Sequence, residues 1–228
     1  MSIAPSLKTV PDIIPTNVHP LPRTAGLVAL HTVARNRITG HADFVRSTRR
    51  IMRLVLEEAV GLLRHDEHAV TTPTGFTFPG RILAQPEVFA VSVPRAGDAL
   101  EAELREIQPG ARIGKILIQR DVVTKQPHLY YQKLPPQIAG QQVLLLDPMM
   151  ATAGTACLAV EVLQSAGVAE QDIVMANVLT CPSALHTLLG RHPQVQVVTS
   201  FIDEALTDQA FMRPGIGDFG DRFYGTTA

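Results

Sequence analysis

What this 228-residue chain lacks closes several classes of explanation. It has only two cysteines, Cys157 and Cys181, at a spacing that fits no zinc module and too few for a disulfide framework. A reducing, cytoplasmic setting is expected, with both thiols as small core residues. Neither charge sign dominates. Twenty Lys and Arg stand against 21 Asp and Glu, which leaves no long-range field to hold a nucleic-acid backbone, so no nucleic-acid partner is expected and any anion site must be local. No apolar run reaches the roughly eighteen residues of a membrane span, and the start of the chain has no signal-peptide core, so neither membrane contact nor targeting is expected. The Walker lysine and the Rossmann glycine triplet are also missing.

What is present reads as α/β. With 46% apolar residues the chain can bury a sizeable core, expected as one domain over residues 19–228 behind an extended or disordered arm, residues 1–18, that holds Pro5, Pro11 and Pro15. From Ala42 the positions Phe44, Ile51, Met52, Val55, Leu56, Ala59, Leu62 and Leu63 recur on one helical stripe, and Arg46, Arg49, Arg50 and Arg53 fall on the solvated faces. His65 and His68 read as the polar end of that helix rather than as metal ligands. Residues 70–86 read as strands and turns. Apolar strands at 88–93, 113–118, 143–146, 172–178 and 195–198 alternate with helical stretches, which predicts a mostly parallel sheet flanked by helices. Ligands of such sheets lie beyond the carboxyl ends of the strands, where Arg95, Arg120 and Asp147 all map. Residues 121–135 read as a two-stranded arm whose apolar Val122, Leu129, Tyr130 and Tyr131 suit pairing with another subunit, so a homo-oligomer is expected.

The most informative stretch is Asp147, Pro148, Met149, Met150, Ala151, Thr152, Ala153, Gly154, Thr155. An apolar strand ends at an acid, a loop of small and hydroxyl residues follows, and a helix then runs to Gly167. The N–H groups and positive dipole end of such a helix start can hold a phosphate, with Thr152 and Thr155 adding hydroxyl donors. Asp147 would repel a phosphate and suits sugar hydroxyls instead. Together they suggest a ribose 5-phosphate, although the same pattern also fits an ordinary strand-loop-helix turn. Near the C-terminus, Gly215, Gly217 and Gly220 either bring backbone amides up to a flat ligand or make a tight turn that packs the terminus.

The stretch 147–155 resembles the phosphoribosyl pyrophosphate loop of the uracil phosphoribosyltransferases, with Ala153 where that family has a glycine. The resemblance extends from His19 onward, through Arg95 to Gly97, Arg120 and Asp121, Tyr130 to Pro135, Pro214 to Asp218, and Gly220 to Arg222. It implies a phosphoribosyltransferase-like fold with a β-arm and a C-terminal base-binding hood, and transfer from phosphoribosyl pyrophosphate to uracil, giving UMP and pyrophosphate. The implied donor contacts are Arg95, Arg120, the run Asp147 to Thr155, and Asp218, with Asp147 and Arg120 catalytic. Uracil would meet Met212, Gly217, Asp218 and Phe219. Mg2+ is implied as a cofactor carried mainly by the donor, with no protein metal ligand assigned, and a dimer or tetramer is implied. Phe211, Arg213 and Phe219 depart from the family's usual residues, which leaves open a phosphoribosyltransferase for another base or a regulatory protein that binds without turnover.

Overall fold

The computed structural model describes residues 14–120 and 127–226. The first segment holds β1 (Val18–Pro20), α1 (Ala25–Arg35), α2 (His41–Gly61), β2 (His65–Thr71), β3 (Thr77–Leu83), β4 (Phe89–Ser92), α3 (Gly97–Ile107) and β5 (Arg112–Arg120). The second holds β6 (Pro127–Lys133), β7 (Val143–Leu146), β8 (Met149–Met150), α4 (Gly154–Ser165), β9 (Ile173–Thr180), α5 (Pro182–Arg191), β10 (Gln196–Ile202), β11 (Ala205–Leu206), β12 (Met212–Arg213) and α6 (Phe219–Tyr224).

The main sheet runs β1-β10-β9-β7-β4-β5-β6, with β8 paired to β9. Every pairing is parallel except β5 with β6. The central strands β4, β7 and β9 are buried along their whole length, as continuous apolar runs in a covered parallel sheet require. From β4 the chain steps one way to β5, and from β7 it steps the other way to β9. Right-handed crossovers therefore put α3 and α4 on opposite faces. The reversal between β4 and β7 is a topological switch point, and its crevice opens beyond the carboxyl ends of those two strands. Ser92 is in register with Leu146, and Leu146 with Ala176, so Arg95 and Asp147 follow strand ends at one level.

α2 buries the apolar stripe read from its sequence, with Phe44, Ile51, Met52, Val55, Leu56 and Ala59 all under 2% exposed. Two of its arginines, Arg49 and Arg53, clasp the buried Glu103 of α3, so that face is partly paired rather than purely solvated. Gly97 opens α3 against the end of β7. A Cβ there would sit 2.4 Å from the Leu146 carbonyl oxygen, so the close approach of α3 to the sheet edge requires glycine.

α1 is not among the elements read from the sequence, although Leu27, Leu30, His31 and Ala34 bury one face of it at helical spacing. Three expectations change. β1 begins at Val18, inside the stretch expected as an arm, while residues 1–13 lie outside the described residues. His65 and His68 sit in β2, not at a helix end, because α2 stops at Gly61 and the chain turns into a β2–β3 hairpin that pairs only with itself among the described residues. The expected two-stranded arm is instead the antiparallel strand β6 laid along β5 at the sheet edge. Tyr130 and Tyr131 are more than half exposed there, Leu129 packs against the core, and Val122 lies outside the described residues.

Candidate active site

The loop after β7 is held by its carbonyls. Val178 and Leu179 N–H both donate to Pro148 O, at 2.9 and 3.0 Å. Asn177 Nδ2 donates to Asp147 O at 3.0 Å, Thr180 Oγ1 to Met150 O at 3.1 Å, and Cys181 Sγ to Ala151 O at 3.4 Å. Strand β9 thus grips three carbonyls of the loop, and Cys181, the residue after it, holds a fourth. Ala153 then caps α4 in the left-handed region, φ 61° and ψ 0°, with no side-chain cap bond. Its methyl group does not prevent the turn; it makes it strained, by about 1 kcal/mol relative to glycine. Gly154 and Thr155 form the first turn of α4, where no acidic residue opposes an anion.

Asp147 is 8% exposed. Among the described residues, its carboxylate accepts one hydrogen bond, from Met149 N–H at 3.2 Å. Burial pushes its pKa up to about 6, and the Met149 bond offsets only part of that shift. Arg120 ends β5, which continues five residues past the Lys115 that pairs with Ser92. Its side chain lies outside the described residues. Its β6 partner, Pro127, stands 3.6 Å from the place where a Gly154 Cβ would be, so the end of the β5–β6 pair lies beside the loop.

Over the same crevice the C-terminal segment folds into a hood. Asp203, after β10, accepts Arg35 through both oxygens (2.7 and 3.2 Å) and Gly215 N–H at 2.7 Å, while Arg35 also donates to Gly215 O at 3.0 Å. Gly215 has φ +71°, and a Cβ on it would meet Met212 O at 2.2 Å; no other residue fits that turn. Asp218 caps α6 by accepting Asp221 N–H at 2.8 Å. Arg222 reaches the carbonyls of Ala34 and Ile216, at 2.6 and 2.7 Å, and lies over the Phe44 ring. Its contact with Ala34 ties the hood to the end of α1.

Between hood and sheet edge lies a pocket of about 540 Å³. Its walls bring together Arg95, Met149 and Ala151 from the edge with Met212, Gly217, Asp218 and Phe219 from the hood. Asp147 lies behind the Met149 wall rather than in the lining. The Arg95 guanidinium is half exposed and held from the hood side by Asp221 at 2.6 Å and Thr226 Oγ1 at 3.0 Å; the Tyr224 hydroxyl donates to its carbonyl. Asp221 raises the Arg95 pKa and is itself lowered by it.

The pattern of a nucleotide-sized crevice at a switch point, with a buried acid and a small-residue loop, agrees with the comparisons. The profile of the uracil phosphoribosyltransferase family matches residues 21–226. The chain belongs to the uracil phosphoribosyltransferase family. It is 45% identical over 212 residues to a uracil phosphoribosyltransferase of Dictyostelium discoideum, covering 93% of this chain and 98% of that one. It is 40% identical over 208 residues to that of Saccharomyces cerevisiae, covering 91% and 96%. Among solved structures, the AQ2163 protein of Aquifex aeolicus superposes with a TM-score of 0.78 at 25% identity, over 92% of this chain and 99% of that one.

Within this uracil phosphoribosyltransferase framework the unusual residues leave the pocket open. Phe219 borders it, but its ring is 2% exposed and packs on Phe44 and Phe223, at 6.0 and 5.3 Å between centroids. Arg213 is exposed in β12 and outside the lining, whereas Phe211, 48% exposed, is part of it. Sequence reasoning missed Asn177, Thr180, Asp203 and Asp221. Asn177 and Thr180 carry a usable signal, as polar residues in an otherwise apolar buried strand; the bonds made by Asp203 and Asp221 join segments far apart in sequence.

Two outcomes follow from this geometry. Because the folded pKa of Asp147 lies above its unfolded value, ionisation penalises the fold: the penalty is absent below about pH 4, grows between about 4 and 6, and is complete above that, at about 3 kcal/mol. In urea titrations Asp147→Asn is expected to match the parent near pH 4 and exceed it by about that amount at pH 7.5. A difference independent of pH would mean that the carboxylate is not desolvated. Phe219→Ala is expected to lose about 3 to 5 kcal/mol of stability yet to change uracil turnover only a few-fold, assayed well below its melting temperature. A large gain of uracil activity would instead place the ring in the pocket.

Proposed function

We propose that this protein transfers the phosphoribosyl group of phosphoribosyl pyrophosphate to uracil, releasing pyrophosphate and forming UMP. The observation that carries the reading is the family match over residues 21–226 to a chain whose switch-point crevice holds the acid, the loop and the hood together. Displacing pyrophosphate from ribose C1 passes through an oxocarbenium-like state, so the protein must orient the sugar, hold the leaving group's charge and present the base in line. In this reading the loop from Pro148 to Thr155 takes the 5-phosphate, and Asp147 holds the ribose hydroxyls and sets a negative field beside the cationic ring. Arg95 and Arg120 take the pyrophosphate. The backbone around Gly217 to Phe219 and Met212 meets the base, with Asp218 also turned to the donor. Mg2+ accompanies the donor as part of the substrate complex and supplies charge neutralisation on its phosphates. Among the described residues, no three His, Cys, Asp or Glu side chains are grouped to hold a metal.

With saturating donor and uracil, pyrophosphate release is the decisive assay. Its absence from protein shown to bind the donor would sink the reading. If Asp147 must be ionised, kcat/KM falls as the pH drops through about 6. Asp147→Asn is expected to cut kcat far more than it raises the donor KM; a change in KM alone would make Asp147 a binding residue only.

The reading includes a homo-oligomer, dimer or tetramer, in the cytoplasm. Its support is the exposed Tyr130 and Tyr131 of β6 together with the β2–β3 hairpin: Val70, Phe76, Phe78 and Ile82 are 42%, 74%, 57% and 48% exposed on it, and an isolated two-stranded hairpin is marginal in water. Among the described residues no helix is long and apolar enough to cross a membrane, and both cysteines are free and buried. Sedimentation at micromolar concentration is expected to show an oligomer that Phe76→Ser with Phe78→Ser shifts to a smaller species. A monomeric parent would contradict it.

A further inference from the structure

Asn177 is fully buried in β9, and Thr199, also fully buried, stands beside it in β10, paired in parallel register. The Thr199 hydroxyl donates to Asn177 Oδ1 at 2.9 Å, and Asn177 Nδ2 donates to the Asp147 carbonyl at 3.0 Å. The hydroxyl also lies 3.2 Å from Phe201 O, so its single proton is shared, with the shorter contact toward Asn177. This polarity satisfies both ends of the amide at once; the flipped amide would set Nδ2 toward the hydroxyl and Oδ1 against the Asp147 carbonyl, two acceptors face to face. The relay ends on the peptide that joins Asp147 to Pro148, the first link of the loop.

Two structural facts make this more than core packing. First, the two side chains put polar groups in a fully buried part of a largely apolar sheet, where an apolar pair would avoid desolvation altogether. Second, among the described residues the Asp147 carboxylate accepts only the Met149 N–H, so its place is fixed chiefly by the backbone that carries it. That backbone is fixed on one side by the β7–β9 ladder and on the other by Asn177.

We propose that Thr199 and Asn177 are positioning residues that hold the Asp147–Pro148 peptide, and through it the Asp147 carboxylate, in the orientation the transfer step uses. This rests on the phosphoribosyl-transfer reading above, and neither residue touches the substrates. Because positioning acts on the reacting centre while the loop's other carbonyl anchors keep the phosphate seat, the effect falls on turnover more than on donor binding.

The test compares the parent with Thr199→Val, which keeps the shape and loses the donor, and Thr199→Ser, which keeps the donor. Donor and uracil KM, kcat and melting temperature are measured for each. Parent turnover with uracil tests the transfer reading by itself, before any variant is considered. Given an active parent, Thr199→Val is expected to lower kcat at least tenfold with the donor KM within about threefold, and Thr199→Ser to restore kcat to within about threefold of the parent. A folded Thr199→Val with parental kcat overturns the proposal, as does a serine variant as slow as the valine one. If the valine variant does not fold, Thr199→Ala carries the same test with the same expected loss of kcat.

Discussion

A carboxylate taken out of water is costly unless charge and hydrogen bonds surround it, and Asp203 is surrounded on both oxygens. Arg35 from the end of α1 and the Gly215 N–H from the hood meet there, and Arg35 closes the ring by also donating to Gly215 O. The carboxylate side chain has no exposure and the arginine only 17%. Three segments that share no local sequence, the last turn of α1, the end of β10 and the glycine turn of the hood, are therefore fixed to one another. Together with the Arg222 bonds to Ala34 and Ile216, this junction gives the crevice at the switch point its second wall. Removing either partner would leave a buried charge uncompensated, a loss on the order of 3–5 kcal/mol, and the hood would lose its register over the sheet edge.

The hood's other tie is of a different kind. Arg95 and Asp221 are both substantially exposed, and an exposed ion pair is weak because water screens it. A pyrophosphate presents more negative charge and a geometry that suits a guanidinium. On the proposed reading Arg95 can therefore exchange Asp221 for the donor at little cost, while Asp203 and Arg222 keep the hood in place. A strong tie sets the position of the wall, and a weak one leaves the arginine available.

The sequence disclosed most where one residue type answers one local demand. The apolar runs at 88–93 and 143–146 dictated buried parallel strands, the stripe from Phe44 to Leu63 dictated α2, and the acid followed by small residues at 147–155 marked the strand-to-helix turn. Legibility failed where the deciding partner is distant. His65 and His68 looked like a helix end because nothing local shows that the chain turns into a hairpin, and the antiparallel partner of the 127–133 segment turned out to be β5 itself. Phe219 could not be oriented from sequence, since its ring packs not only on Phe223, one turn on along α6, but on Phe44 from the distant α2. Ala153, standing where the family has a glycine, takes a left-handed conformation between carbonyls held by β9 and Cys181 and the start of α4, a setting made by partners distant in sequence.

Two of the buried carboxylates, Asp203 and Asp147, allow a comparison that bears on function. Asp203 accepts hydrogen bonds from a guanidinium and a backbone amide on both its oxygens. Asp147, at similar burial, accepts one amide at 3.2 Å, and desolvation lifts its pKa to about 6. A structural carboxylate in that position would be expected to find a cation, or to be replaced by a neutral residue that avoids the penalty. An acid left underpartnered beside a phosphate-type loop, with its backbone held by Asn177 and its charge costly to the fold, is instead placed for a ligand that completes it. On the proposed reading, ribose hydroxyls supply the missing donors and a ring that becomes cationic during transfer supplies the missing charge, so the energy withheld from folding is available where the reaction needs it.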